Sequence, residues 1–194
     1  MNRDDYDHSR SARKSDYYIQ DTPPKEARVL VEQHHYAKGG SNTGCYFHGL
    51  YRVADNKLVG VAWWLPPTKA ACKAVNSDWK RVVGLSRLVI APGEPRNAAT
   101  ILLGCSMRLI KRDARFVSLV TYADESQGHK GKIYVATNWQ YAGMTRPRRR
   151  WIEPATGRQI APKATVNRTK SEMLALGYEQ TPAYPKHKFV FNLL

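Results

Sequence analysis

The feature that most constrains the fold is a regular alternation of strand and helix patterns in the middle of the chain. Val82–Ile90 is an apolar, branched run that predicts a strand, and residues 116–122 predict a second one. Between them, after a turn at 92–96, a helix capped by Asn97 is expected to run to about Lys111. A strand, a helix and a strand in this order favour a parallel crossover. The sequence therefore predicts an α/β fold with a mixed central sheet flanked by helices.

Weaker patterns extend this alternation on both sides. Apolar residues recur at helical spacing after Pro23-Pro24, and two aromatic-rich runs flank Asp55-Asn56 as in a β-hairpin. The expected elements are a helix over 24–36, strands over 45–53 and 58–65, a loop or short helix over 68–80, helices over 131–139 and 170–176, and strands over 140–145 and 186–194.

The chain of 194 residues is long enough for one domain with a sizeable core. Residues 1–21 are polar and carry charges of both signs, so we interpret them as a mobile N-terminal tail. Residues 22–194 are expected to form a single domain, with a basic and turn-rich insertion around residues 146–170.

The chain shows no pattern of membrane insertion or export. Its longest apolar run, residues 58–65, is far too short to span a bilayer, and residues 1–13 lack the apolar segment of a signal peptide. Cys45, Cys72 and Cys105 are dispersed and form no CxxC pair, which is typical of reduced core thiols. We expect a cytoplasmic protein.

The net charge indicates the partner. Lys and Arg number 31 against 16 acidic residues, a formal charge of +15. Such an excess attracts polyanions, so nucleic acid is the first candidate and an acidic membrane surface the second. The sequence contains no evident basic amphipathic helix, which argues against the membrane. Double-stranded DNA is the expected partner.

The basic residues are concentrated in one stretch, because residues 130–170 contain ten Lys or Arg and one Glu. Guanidinium groups bind phosphate in a bidentate manner, and a tryptophan can stack on an extruded base. A solvated charge run would have the same composition, but the charge of the whole chain favours binding. The candidate DNA-binding residues are Arg146, Arg148, Arg149, Arg150 and Trp151.

The strongest catalytic pattern surrounds Asp124. This acid follows a predicted central strand and precedes the glycine-rich turn 127–131, which is where open α/β sheets place their sites. Asp124 can orient or deprotonate an amine, and Tyr134 can protonate a leaving group. Alternatively, Asp124 caps the next segment and Tyr134 is a packing residue.

Arg87 interrupts an otherwise apolar strand, where a charge is costly unless it is paired or faces a cleft. It can bind phosphate or pair with Asp124. An arginine on an edge strand, facing water, is the alternative interpretation.

A metal site formed by histidines is a further hypothesis. His34 and His35 are adjacent, so they diverge on a helix, and no HExxH or HxH spacing occurs. A lone histidine is more often a satisfied polar residue than a metal ligand. The metal is therefore left unknown, with His35 as its candidate ligand.

The turn before the Asn97 helix bears on the cofactor. GNAT acyltransferases hold the pyrophosphate of acyl-coenzyme A on a glycine-rich turn at the start of such a helix. Here residues 92–98 lack a glycine-x-glycine run, and Glu94 would repel phosphate. The pattern therefore argues against coenzyme A.

Several motifs, in order and at close spacing, resemble the Mom family of phage DNA-modification proteins. The resemblance covers His34-His35-Tyr36 to about Met144 and the closing segment 185–190. The motifs that carry it are Phe47-His48-Gly49-Leu50-Tyr51, Leu85-Ser86-Arg87-Leu88, Thr121-Tyr122-Ala123-Asp124, Gly128-His129-Lys130-Gly131 and Ile133-Tyr134-Val135-Ala136-Thr137-Asn138-Trp139.

This resemblance implies a single GNAT-like acyltransferase domain over residues 22–194. It also implies conversion of adenine in DNA to an N6-carbamoylmethyl (acetamido) form that protects phage DNA from host restriction nucleases. The family's functional positions fall on His35, Arg87, Asp124 and Tyr134. The donor is unknown and can be glycine-derived, aminoacyl or acyl-CoA, and the resemblance also implies iron as a possible cofactor. The base must leave the stack, and Trp63, Trp64 or Trp151 can hold it.

Two other functions fit part of the sequence. An ordinary N-acyltransferase acting on a small amine or a protein explains the fold and the catalytic candidates, but not the charge. A non-enzymatic nucleic-acid-binding protein explains the charge, but not an arginine within an apolar strand.

Overall fold

The computed structural model of the protein describes Asp7, residues 9–160 and residues 164–193. The strands of this part of the chain are β1 (Tyr17–Asp21), β2 (Tyr46–Arg52), β3 (Lys57–Leu65), β4 (Val82–Ile90), β5 (Ser118–Asp124), β6 (Gln140–Met144), β7 (Trp151–Glu153), β8 (Arg158–Gln159), β9 (Glu179–Gln180) and β10 (Lys186–Asn192). The helices are α1 (Pro24–His34), α2 (Lys69–Lys73), α3 (Ala98–Asp113), α4 (Lys132–Ala136) and α5 (Lys170–Ala175).

The larger sheet has the strand order β1-β2-β3-β4-β5-β10-β6. Strands β1 to β4 form an antiparallel meander, β4 and β5 are parallel, and β10 is antiparallel to both β5 and β6. Helix α3 connects the parallel pair, as the sequence pattern predicted. The predicted mixed central sheet flanked by helices is confirmed.

A bulge in β4 opens the sheet beside β5. Trp63 on β3 pairs with Arg87, but Trp64 pairs with Leu85, so Ser86 is an extra residue in β4. A bulge bends its strand and increases the local twist. Within the described residues, the β4–β5 pairing stops at Leu85 and Thr121, and a cleft opens beyond that point.

The core lies on both faces of this sheet. Successive residues of a strand point to opposite faces. On one face, Trp64 packs with the apolar side of α3, and on the other, Trp63 packs with Ala27 and Val31 of α1. Trp63 and Trp64 are only 1% and 0% exposed. They are core residues, so the suggestion that either one holds an extruded base is wrong.

The predicted mobile tail is wrong at its C-terminal end. Residues 17–21 form β1, paired along its length with β2, because this pairing satisfies their backbone groups and buries the ring of Tyr17. The preceding residues are also anchored, because Ala12 exchanges two hydrogen bonds with the Asn97 side chain, at 2.7 and 2.9 Å. Residues 1–6 and 8 lie outside the described residues.

Asn97 therefore does not cap α3 as predicted. It precedes the helix, but its side chain binds the backbone of Ala12 instead of an amide of the first turn. This long-range pair ties the N-terminal segment to the β4–α3 connection.

The chain also forms a separate small sheet with the order β8-β7-β9, in which β7 and β8 lie in the basic insertion and β9 lies after it. Helix α5 lies between β8 and β9 in the chain, and its start carries a capping box formed by Thr169 and Glu172. Residues 161–163 of the insertion lie outside the described part of the chain. In the part that the structure describes, no helix has both the length and the apolarity needed to cross a bilayer.

Candidate functional site

A cavity of about 1330 Å³ occupies the cleft between β4 and β5. Its walls are the C-terminal halves of these strands, the end of α1, the start of α3 and the residues of α4 and the loop before it. It is the natural place for a ligand, because the bulge separates the two parallel strands at their carboxyl ends.

Asp124 lies at the end of β5 and is 1% exposed. Its Oδ2 accepts from Arg150 Nη2 at 3.0 Å, Lys186 Nζ at 3.0 Å and Tyr36 Oη at 3.3 Å. Its Oδ1 accepts from the hydroxyl and the amide of Ser126, at 2.7 and 3.2 Å. The carboxylate is therefore fixed from both sides.

These contacts decide the charge of Asp124. Burial alone would raise its pKa, but the hydrogen bonds from Ser126 and Lys186 and the charges of Lys186 and Arg150 outweigh burial. They hold the pKa of Asp124 well below its usual value. A carboxylate with so low a pKa is a weak base, so its chemistry is orientation and charge stabilisation.

Tyr36 stands between two imidazoles at the cavity wall. Its ring stacks on His35 with centroids 4.5 Å apart and meets His129 edge-on at 5.9 Å. Burial, together with the negative charge of Asp124, raises the pKa of Tyr36 to about 12. Tyr36 is thus a protonated donor, and the three rings form an aromatic wall.

His35 is a neutral imidazole. Burial, together with the positive charge of Arg87, lowers the pKa of His35 to about 3. Its Nδ1 accepts a hydrogen bond from the amide of Ala37 at 3.1 Å, so the ring proton is on Nε2. His35 can therefore donate one hydrogen bond and cannot supply positive charge near neutral pH.

Arg87 lies in an interior strand, so the edge-strand interpretation is wrong. Its Nε donates to Gly39 O at 2.8 Å, and its Nη1 donates to the carbonyl and hydroxyl of Ser86 at 2.8 and 3.1 Å. No ion pair among the described residues involves Arg87, so the suggested pairing with Asp124 is not formed. Burial lowers the pKa of Arg87.

Tyr134 is held on α4 by aromatic packing. Its ring lies 5.7 Å from Trp139 and 5.2 Å from Phe189, measured between centroids. Burial raises the pKa of Tyr134, and the Thr121 side chain lowers it by less. Tyr134 therefore packs in the core and also lines the cavity.

The structure thus brings Asp124, His35 and Tyr134 to one cavity, with the charge of Arg87 acting on His35. Sequence reasoning missed Tyr36 and Lys186. Tyr36 adjoins His35 in sequence. Lys186 is placed by the β10–β5 register, in which it lies opposite Asp124.

The predicted DNA-binding run divides into two groups. Arg146, Arg148 and Arg149 are exposed, and Trp151 is half-buried on β7. Arg150 is instead directed to Asp124.

The residues do not assemble an evident metal site. Among the described residues, no group of three or more His, Cys, Asp or Glu side chains is arranged to hold a metal ion. The Nδ1 atom of His35 is also occupied by the Ala37 amide. Iron therefore has no support in this geometry.

The β4–α3 connection differs from a coenzyme A cradle. Glu94 is buried and pairs with Arg52 and Tyr17, so it is neutralised rather than facing a phosphate. Two amides at the start of α3, those of Ala98 and Thr100, already donate to the carbonyls of Pro95 and Asn97, and Ala12 is bound to the side chain of Asn97. The residues present do not fit the open amide cradle that a pyrophosphate needs.

The mixed sheet, whose parallel strands β4 and β5 separate at their carboxyl ends, is that of the GNAT acyltransferase fold. A putative GNAT-family acetyltransferase from Desulfovibrio desulfuricans superimposes with a TM-score of 0.56 at 11% identity, over 92% of this chain and 99% of the other. A putative acetyltransferase from Salmonella typhimurium, solved with its cofactor acetyl-CoA, gives 0.57 at 7% identity, over 92% and 95%. At these identities the likeness concerns the fold alone.

Within this fold, the chain belongs to the Mom protein family, whose model matches residues 16–190. The methylcarbamoylase Mom of Escherichia phage Mu is 26% identical over 121 residues, which are 60% of this chain and 49% of the relative. The chain spans about half the length of that curated relative.

Proposed function

We propose that the protein is a transferase that converts adenine in double-stranded DNA to an N6-carbamoylmethyl form. The observation that carries the proposal is the buried, charged Asp124 in the wall of a large cavity, in a chain of the Mom family. A cavity of about 1330 Å³ has room for an extruded base and for a small donor.

The aromatic wall supplies the contact surface for the base. Extruding a base costs stacking energy, which aromatic contacts and hydrogen bonds to its polar edge can replace. In our proposal the adenine lies against Tyr36 and His129, and His35 Nε2–H donates to a ring nitrogen.

Asp124 then acts on the N6 amine. Its longest hydrogen bond, from Tyr36 at 3.3 Å, is the one that the N6–H can replace. A fixed carboxylate in a low-dielectric site stabilises the positive charge that develops on N6 during attack. Because its pKa is low, Asp124 orients the amine and does not retain the proton.

The transfer forms a bond between N6 and the methylene carbon of the carbamoylmethyl group, while the bond from that carbon to its leaving group on the donor breaks. Tyr134 protonates the leaving group and becomes a phenolate. The proton released from N6 passes through water to this phenolate and restores the phenol. Arg87 positions the donor electrostatically, since its charge acts on His35 in the cavity wall.

The donor enters from the α3 side of the cavity. A glycine-derived or aminoacyl donor fits this side better than acyl-CoA, because the amides of Ala98 and Thr100 at the start of α3 already donate to backbone carbonyls. Supplying each donor class to purified protein and plasmid DNA, and measuring modified adenine, distinguishes them.

The central experiment is mass spectrometry of nucleosides from plasmid DNA after expression of the protein. We expect a new adenine species and resistance of the plasmid to restriction nucleases. Asp124→Asn and Tyr134→Phe should each lower the yield by about a hundredfold, as expected for general acid–base and electrostatic groups. Asp113→Asn and Tyr141→Phe, at exposed positions outside the cavity, are the matched controls.

Absence of any new adenine species with the wild-type protein would reject this function. Acylation of small amines by the same protein would then favour the ordinary acyltransferase. DNA binding without either product would favour the non-enzymatic alternative.

A further inference from the structure

We propose that Arg150 is a positioning residue that fixes Asp124 from the basic insertion, and is not a phosphate contact like its neighbours. The kinetic part of this inference rests on the proposed function. The structural part is that the Arg150 guanidinium connects the small sheet to Asp124, and this part does not depend on the proposed function.

The contacts of Arg150 distinguish it from the rest of its run. Its Nη2 lies 3.0 Å from Asp124 Oδ2, and its Nη1 donates to Gln159 Oε1 on β8 at 2.9 Å. Its side chain is 26% exposed. One guanidinium thus links β5 of the large sheet to β8 of the small one.

The backbone of Arg150 is fixed as well. Its amide donates to the Thr181 hydroxyl at 3.0 Å, and its carbonyl accepts from the Thr181 amide at 2.8 Å. Two anchored ends, backbone and guanidinium, hold the side chain in one direction. An arginine held in this way has little freedom to follow a phosphate.

The electrostatics of Asp124 require such a partner. Its carboxylate is almost fully buried, and a buried charge that loses a partner is strongly destabilised. Lys186 supplies one cation from β10, and Arg150 supplies the second, from the insertion. The insertion that is expected to contact DNA therefore also sets the direction of the carboxylate that acts on the base.

The test compares Arg150→Met with Arg149→Met, which removes the same charge from the neighbouring exposed residue. DNA affinity is measured against salt, and turnover is measured at saturating DNA. Arg149→Met should lower the salt slope by about 0.9, the value for one phosphate contact, and raise KM for DNA. Arg150→Met should leave the slope unchanged and lower kcat by about tenfold to a hundredfold, because Asp124 is misplaced.

Two further variants separate positioning from folding. Arg150→Lys should recover part of kcat, and added methylguanidinium should recover part of the kcat of Arg150→Ala. A role limited to folding would respond to neither. A salt slope lowered by about 0.9 in Arg150→Met, with kcat unchanged, would overturn the inference in favour of a phosphate contact.

A measurement without turnover keeps this inference separate from the proposed function. The carboxyl carbon of Asp124 is titrated by NMR in the wild type and in Arg150→Met. The pKa of Asp124 should rise in the variant, because a cation at 3.0 Å is lost. An unchanged pKa would overturn the inference even if the protein modifies no adenine, whereas a raised pKa with no modified adenine would reject only the proposed function.

Discussion

At the scale of single residues, the burial of His35 makes the stability of the fold depend on pH. Its pKa of about 3 lies below the ordinary 6.5, so between these values the unfolded chain binds a proton that the folded chain does not. The folded state is therefore progressively destabilised as the pH falls from 6.5 towards 3. When the pH falls over this range, a His35→Gln variant should lose less unfolding free energy than the wild type.

The measurement is a series of urea unfolding curves between pH 7 and about 4, combined with NMR of the imidazole carbons. The His35 resonance should remain that of a neutral ring throughout. A His35 midpoint near 6.5, or equal pH slopes in the two proteins, would contradict a buried neutral imidazole.

Arg87 provides a second prediction at this scale. Its Nε and Nη1 hold Gly39 O and the Ser86 carbonyl in a fork that a lysine cannot reproduce. Arg87→Lys should lower the yield of modified adenine by about tenfold or more, since displaced groups in an active site commonly cost that much.

The control is Arg81→Lys. Arg81 uses a similar fork on the carbonyls of Ala114 and Arg115, but it lies just before β4, at the end away from the cavity. Its replacement should leave modification unchanged. Wild-type yield in Arg87→Lys would mean that only a positive charge is needed at that position.

The residues of the candidate site were predictable to different degrees. His35, Arg87, Asp124 and Tyr134 were predicted from motifs, and these four roles stay proposals. The partners of Asp124 were not predictable in the same way. Lys186 is 62 positions away in sequence, and its contact depends on the pairing of β10 with β5, which no local pattern specifies.

At the scale of elements, the long patterns were predicted well and the short ones poorly. Helix α3 and strands β3 and β4 are long enough to show their periodicity, and they were predicted close to their observed bounds. The small sheet was missed because β8 and β9 have two residues each, too few for any alternation. β1 was missed because its five residues lie in a polar segment, and its pairing with β2 is what makes it a strand.

The turn before α4 gives an element-scale prediction. Gly131 has φ +73°, and a Cβ there would overlap the ring of Phe189, which itself packs on Tyr134. Left-handed backbone costs about 1–2 kcal/mol for an L-residue, and overpacking adds about 1–3 kcal/mol. Gly131→Ala should therefore lower the unfolding free energy by about 2–5 kcal/mol and also reduce modification.

Gly128→Ala is the matched control. Gly128 has a similar φ of +66°, but within the described part of the chain no atom beyond its own sequence neighbours lies within 4 Å of an added Cβ. Only the backbone cost of about 1–2 kcal/mol should appear in urea unfolding. Equal losses in the two variants would show that Phe189 moves aside without cost and does not fix the position of α4.

At the scale of the whole molecule, part of the excess positive charge lies close to the cavity. The insertion that carries exposed Arg146, Arg148 and Arg149 is joined to the cavity wall through Arg150 and Asp124. A second basic group, Lys69, Lys73 and Lys80, lies before β4, at the end of the sheet away from the cavity. If DNA is bound for modification, only the first group should contact it.

Changing Arg146, Arg148 and Arg149 together to Ala should therefore weaken binding to all DNA sequences alike. Phosphate contacts carry no sequence information, and each one releases counterions. Loss of three contacts should flatten the plot of log affinity against log salt by about 2.7, at about 0.9 per contact.

The comparison is a fluorescence-anisotropy salt titration of the wild type, this triple variant, and Lys69→Ala, Lys73→Ala and Lys80→Ala combined. Both variants lose three positive charges, so a general effect of net charge would lower both slopes equally. A larger change in the lysine variant would move the DNA channel to the opposite end of the sheet. Because the duplex has to reach the cavity before a base can enter it, that result would also separate DNA binding from the proposed reaction centre. A flattened slope confined to the arginine variant would instead place the phosphates beside the segment that precedes β7, where Arg150 contacts Asp124 of the cavity wall.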